Sequence, residues 1–354
     1  MKKIKQSFLA LFTFVTSTIS VNASTIQNDY KKIIEKDNQS NYIFLFVYRS
    51  ATFIDWSNPS DLAKTTLKSQ IARKFKGDAS SIGHAQIAWY CNDQKGNIKS
   101  GATGQTGQEG NEGLQLIKGG WGLSILDTVF TDGHLESQQE VDEKIKKADS
   151  NNNMSWLAIK TDYHNCSEMS KFVDDYDKSG AAINYGFPVE PLKFEGAGCT
   201  SFANAAISKA NLGINLSKAW VRHIKLPKKY MGKRLEPLIK TRPMVLAKNK
   251  QDEKIIPMSD FLFKNISWAN DNEEYQDFYY YDPELFYESL VHLENRYREN
   301  IGLRLKSPIR SKEYDKTQIA TKKISEDLMD NLLKNNRLVK IGKIYSTTGL
   351  IIEP

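Results

Sequence analysis

Apolar and aromatic residues run unbroken from Tyr42 to Tyr48, a pattern that predicts a strand. Upstream, residues 25–38 are polar and read as helical. Ser60-Asp61 opens a second helix that reaches about Phe75. Strands then dominate. Residues 81–91 and 98–103 flank the polar turn Asn92-Asp93-Gln94-Lys95-Gly96-Asn97, as in a hairpin, and residues 156–163 supply a third strand. Helices are expected over 167–176 and 199–211, and residues 221–226 are expected to return to the sheet before Pro227. After about residue 240 the chain turns lysine- and asparagine-rich. One helix stands out there, opened by Asp282-Pro283-Glu284 and lined by Leu285, Phe286, Leu290 and Leu293. The run Phe278-Tyr279-Tyr280-Tyr281 reads as core or edge strand. The pattern divides the chain into a domain over 24–240 and a C-terminal extension or small accessory domain over 241–354.

The first residues have the layout of an export signal. Lys2, Lys3 and Lys5 precede an apolar stretch from Phe8 to Val15, and Val21-Asn22-Ala23 offers small residues for cleavage before Ser24. That stretch is too short for an ordinary membrane span, and no later one approaches the length. No cysteine follows it, which argues against a bacterial lipid anchor. The expectation is a periplasmic or secreted protein with no integral span once residues 1–23 are removed. The formal charge of +7, less the three leader lysines, leaves +4, with cations and acids interspersed. That is a solvated mixed surface rather than the basic stripe of a nucleic-acid binder.

Three cysteines in an exported chain suit one disulfide and one free thiol. Cys91 ends one apolar stretch and Cys166 closely follows another, so neighbouring strands would let the two be bridged. The link would close a loop of about 75 residues and contribute roughly 4 kcal/mol in the chain-entropy model. Two reduced core cysteines are the alternative. In either case Cys199 is the odd one out. It lies in Glu195-Gly196-Ala197-Gly198-Cys199-Thr200-Ser201-Phe202, a small-residue turn feeding a helix. A thiol at a helix start faces the positive end of the dipole, which favours the thiolate.

A nucleophilic cysteine needs a base. Of five histidines, His84 lies near the start of a strand in Gly83-His84-Ala85-Gln86-Ile87, where rigid backbone can aim an imidazole. His223 alternates with apolar neighbours and reads as structural or surface. His134 and His164 look loop-borne, and His292 lies in the tail helix. Glycines at 101, 104, 107, 110 and 113 read as a mobile loop, since no Gly-Lys-Ser/Thr ending or clear helix follows to make a phosphate cradle. No Cys-x-x-Cys pair or His-Glu-x-x-His supports a metal site, and no cofactor is called for.

Gly83-His84-Ala85-Gln86-Ile87, followed much later by Gly198-Cys199-Thr200-Ser201-Phe202-Ala203, resembles the circularly permuted NlpC-type branch of the papain-like fold, in which the histidine strand precedes the cysteine helix. The resemblance covers about residues 40–226. It implies an α+β fold, an antiparallel sheet with packed helices, followed here by the C-terminal extension. It further implies Cys199 as nucleophile, His84 as base and a polar residue on the next strand to orient the imidazole, for which Gln105 and Thr103 are the candidates. Tyr185, upstream of the cysteine, and Thr200, beside it, are the candidate substrate contacts.

Three functions follow as expectations. The first is an exported cysteine hydrolase acting on an amide or ester carbonyl through an acyl-enzyme, with cell-wall peptide as one substrate. The second is a lipid-directed acyltransferase or lipase, since permuted members of the fold resemble lecithin:retinol acyltransferase. The third is a non-catalytic secreted binding or effector protein. A stem peptide needs a polar groove and a lipid acyl chain a long apolar one.

Overall fold

A computed structural model of the chain describes residues 29–77, 80–93, 95–107, 119–212, 217–232, 244–246, 254–306 and 315–353. The export-signal residues, the later part of the glycine-spaced loop and Gln94 of the hairpin turn lie outside them. The fold is mixed α/β. Its elements run α1 (Asp29–Glu35), β1 (Asn41–Tyr48), α2 (Pro59–Lys76), β2 (His84–Asn92), β3 (Ile98–Thr103), β4 (Gln105–Thr106), β5 (Thr128–Phe130), β6 (His134–Leu135), α3 (Gln138–Ser150), β7 (Met154–Thr161), α4 (Tyr163–Lys178) and β8 (Tyr185–Gly186). They continue with α5 (Cys199–Lys209), β9 (Val221–Pro227), β10 (Met244–Leu246), α6 (Met258–Phe263), β11 (Tyr275–Tyr281), α7 (Pro283–Asn300), α8 (Lys316–Lys334), β12 (Leu338–Ile344) and β13 (Thr347–Glu353).

The main sheet has the order β12-β13-β7-β1-β2-β3. β1 lies inside it, antiparallel to β2 and β7, with Tyr48 opposite both His84 and Met154. Both faces of β1 are covered, which is why its apolar run never alternates with polar residues. Ile43, Leu45 and Val47 face one core with residues of β2, β7, α4, α5, α7 and α8. Tyr42, Phe44, Phe46 and Tyr48 face the other, with α1, α3, Trp156 and Ala158. A third apolar cluster holds Leu226 of β9, Phe278 and Tyr280 of β11, Phe261 of α6 and the partly buried Trp56 and Leu126.

Several elements depart from the sequence pattern. The sheet is mixed rather than antiparallel, because β13 pairs with β7 in parallel. The strand expected from residue 81 starts at His84, after Gly83 turns the backbone at φ +89°. A Cβ at Gly83 would sit 2.6 Å from Pro283 Cβ, so the start of α7 packs where only glycine fits. Helix α4 begins at Tyr163, capped by Asp162, and therefore carries Cys166. Cys91 and Cys166 form a disulfide that ties β2 to α4 across a sequence separation of 75.

Strand β9 does not return to the main sheet. It pairs with β11 in a two-stranded ribbon. The segment after residue 240 is woven into the whole: β12 and β13 extend the main sheet, and Phe286, Leu290 and Leu293 of α7 are buried in the first core. Among the described residues no helix is long and apolar enough to cross a membrane.

Candidate functional site

His84 occupies the first position of β2, so sheet hydrogen bonds hold its backbone while its ring projects at the strand's end. Helix α5 starts at Cys199, after Gly198, whose backbone N–H donates to Ser201 Oγ at 2.9 Å. The helix packs on β2 through the first core, where Phe202, Ala203 and Ala206 are buried. That packing places Cys199 beside His84, close enough for thiol and imidazole to interact electrostatically. The Ala85 backbone N–H favours the ionised sulfur as well.

The residue that orients the imidazole is Glu136, directly after β6. Its Oε2 lies 2.9 Å from His84 Nε2, which leaves Nδ1 for the thiol. The same oxygen accepts from Gln86 Nε2 at 2.6 Å, and Oε1 accepts from Lys144 Nζ of α3. Tyr48 donates its hydroxyl to Gln86 Oε1 and stacks on His84 with ring centroids 6.0 Å apart. A chain of groups thus runs Tyr48, Gln86, Glu136, His84, Cys199. Helix α5 packs on one face of the sheet and α3, which follows Glu136, on the other, so Cys199 and Glu136 are brought to His84 from the two layers.

This corrects the candidates Gln105 and Thr103, neither of which orients the imidazole. Gln105 is fully buried in β4 and donates Nε2 to the Ala182 carbonyl. Thr103 donates Oγ1 to the Glu136 carbonyl at 2.8 Å, so it positions the backbone of the orienting residue instead. β4 pairs with β6, Gln105 opposite Leu135, and the Glu136 N–H donates to the Gly104 carbonyl at 2.8 Å. A Cβ at Gly104 would lie 2.4 Å from Glu136 Oε2, so glycine there makes room for the carboxylate.

Electrostatics follow from the geometry. For His84, burial acts against the imidazolium, but the Glu136 carboxylate and the neighbouring Cys199 together outweigh it and the pKa is pushed up to about 9. For Cys199, burial alone would raise the thiol; the imidazolium beside it and the Ala85 N–H more than offset that and lower it. Burial likewise opposes ionisation of Glu136, yet His84 and Lys144 hold it well below the usual carboxylate range. The arrangement favours the thiolate–imidazolium form of the pair, backed by a carboxylate.

Cys199 and His84 open onto a cavity of about 380 Å³. Ile54, Trp56, Leu62, Leu67, Leu126 and Phe187 are among its many apolar walls, and α6 adds Met258 and Phe261. Tyr185 and Thr200 line it too. Thr200 spends its hydroxyl on the Tyr281 carbonyl, so what it offers the cavity is chiefly its methyl face. Asp282 and Glu284, at the start of α7, are the acidic lining residues. Asp282 is ion-paired with Arg222 at 2.8 Å and Glu284 accepts from the Ser50 N–H at 2.8 Å. The tail segment therefore contributes walls to the site, which its composition did not suggest.

The remaining histidines stand apart from this cluster. His223 is on the exposed face of the β9–β11 ribbon, 2.6 Å from Asp277 Oδ1 and stacked on Tyr279. His134 pairs with Glu140 at the surface, His164 lies in α4 and His292 is buried in α7. Among the described residues no group of three or more His, Cys, Asp or Glu side chains could hold a metal ion. Compared with known proteins, the chain matches no family model, no curated protein and no solved structure.

Sequence reasoning missed Glu136, Gln86 and Lys144. Gln86 was in view, two positions from His84 and therefore on the same face of β2. Glu136 had one local signal: it immediately precedes Ser137, which caps α3 in a capping box with Glu140.

Proposed function

We propose that the chain is a cysteine-nucleophile acyl hydrolase or acyltransferase of the permuted papain-like kind, acting on esters or amides of an apolar acyl group. The observation that carries this reading is the position of Cys199 and His84, backed by Glu136, on the wall of an apolar cavity. A stem peptide, dense in polar and charged groups, would leave those groups unpaired against such walls. The order of histidine strand before cysteine helix supports the permuted assignment. The leader pattern and the Cys91–Cys166 bridge support an exported, periplasmic or secreted protein.

In the proposed cycle the Cys199 thiolate attacks the carbonyl carbon and a tetrahedral oxyanion forms. The Cys199 backbone N–H, one of the unpaired donors in the first turn of α5, faces that charge. His84 gives its proton to the departing alcohol or amine, and a thioester remains on Cys199. His84, now neutral, takes a proton from water or a second alcohol or amine, whose attack releases the acyl group. Glu136 keeps the imidazole ring in place and stabilises its charged form through both halves of the cycle.

Acetyl, octanoyl and palmitoyl esters of p-nitrophenol test the reading. Intact-mass analysis is expected to show an acyl adduct on Cys199, with kcat/KM at least about tenfold higher for octanoyl than for acetyl, the gain expected from burying extra methylenes. Cys199→Ala and His84→Ala each lose about 10³-fold or more, the double variant loses no more than either, and His223→Ala keeps its activity. No adduct on Cys199 with any ester, or a preference for acetyl, would overturn the assignment.

A further inference from the structure

Helix α2 forms one wall of the cavity through Leu62, Ala63, Thr66, Leu67 and Gln70. At about 100° per residue, Lys64, Lys68, Ile71 and Phe75 fall together on the flank next to that wall. Ile71 is 49 % and Phe75 86 % exposed, which leaves two large apolar side chains in water between lysines. Ile82, which also lines the cavity, is 39 % exposed. Scattered exposed apolar residues are ordinary, but a group of them at the rim of an apolar cavity is a contact surface.

Charge identifies the partner. α2 carries Lys64, Lys68, Arg73, Lys74 and Lys76 against a single acid, Asp61. Some lysines elsewhere are paired, Lys171 with Asp175, Lys193 with Glu190, Lys225 with Asp271 and Lys229 with Glu273; what sets α2 apart is five cations against one acid on a single helix beside the cavity. Lys64, Lys68, Lys74 and Lys76 make no ion pair among the described residues.

Resting on the apolar-acyl reading above, we infer that this flank of α2 docks the protein on an anionic phospholipid bilayer. The lysines meet the headgroups, and Phe75 and Ile71 enter the acyl boundary. An amphipathic helix lying in the interface in this way needs both the cationic and the apolar component. The cavity then opens toward the bilayer, and an acyl chain reaches Cys199 without crossing water.

The test is sedimentation of the full chain with phosphatidylcholine vesicles, with and without about 30 % phosphatidylglycerol, as in anionic leaflets. Wild type is expected to bind the anionic vesicles at least about tenfold more tightly, an advantage that fades in high salt. The double variant K64E/K68E loses about tenfold on anionic vesicles, and F75S loses several-fold at every salt concentration. All variants share the same leader, so the differences report α2. Deuterium exchange over residues 62–76 slows when vesicles are added. Variants that bind as wild type does, unchanged exchange over 62–76, or an effect of the same substitutions on self-association instead, would overturn the proposal. Turnover of the soluble octanoyl ester is expected to be unchanged in these variants. If that ester is not turned over by wild type while vesicle binding follows the pattern above, the surface stands and the acyl chemistry fails.

Discussion

Two buried glutamates in this protein are shifted in opposite directions from the ordinary carboxyl pKa. Glu136, beside β6, accepts from His84, Gln86 and Lys144, and these partners hold it ionised. Glu288, in α7, accepts from Gln318 Nε2 at 2.7 Å and has a second oxygen without a partner among the described residues. Burial, with Glu284 and Asp282 nearby, pushes its pKa up to about 8. Burial is common to both. What differs is the balance of the neighbours: two cations converge on Glu136, whereas Glu284 and Asp282 outweigh Arg222 at Glu288. A buried carboxyl stays ionised beside an imidazole and a thiol only where the fold brings cations to it.

The comparison is broken most sharply at Glu136. Glu136→Gln keeps the shape and removes the charge that holds His84 protonated. Alkylation of Cys199 by iodoacetamide at neutral pH is expected to slow by about 10- to 100-fold. In wild type this rate falls in acid as the thiolate is protonated, whereas ester turnover also falls above about 9, where His84 loses the proton it gives to the leaving group. In Glu136→Gln the alkaline change moves down by a unit or more, the direction set by losing the carboxylate. An unmoved pH profile would show that Glu136 is only packing.

A smaller effect is expected from Gly104→Ala, whose added methyl would press on Glu136 Oε2. Displacement of the carboxylate from His84 should lower ester turnover by about tenfold with little change in KM, because orientation rather than binding is lost. The alkaline limb should shift in the same direction as for Glu136→Gln. A change in KM alone would mean that the methyl acts on the cavity instead.

The smallest effect tests the other half of the comparison. The raised pKa of Glu288 means that the folded state binds a proton the unfolded state has released. Stability is therefore full below the unfolded carboxyl pKa and is lost as pH rises toward about 8. Glu288→Gln removes that dependence, so the fall in Tm between pH 5 and 8 should shrink by a few degrees. A variant that tracks wild type across this range would place Glu288 outside the buried acidic group.

Much of the framework could be read from the order of residues. The unbroken run at β1, the helix signals at Ser60-Asp61 and Asp282-Pro283, and the small-residue turn before Cys199 are local features, and the structure follows them to within a residue. His84 and Cys199 could be paired because each sits at the end of a regular element. Glu136 could not, since its place depends on the two-residue pairing of β4 with β6, too short to leave a periodic pattern. The same limit hid the parallel entry of β13 beside β7.

The sequence by itself determined the elements, the odd cysteine and the strand-borne histidine, because propensity, capping and spacing act over a few residues. Tertiary structure alone decided that Glu136 completes the cluster and that tail residues Met258, Phe261 and Tyr280 help wall an apolar cavity beside Cys199. Those facts are set by packing between segments 50 or more residues apart, as in the separation of 52 between His84 and Glu136. Side-chain partners at that range are chosen by the shape and charge of the assembled core, which no local pattern encodes.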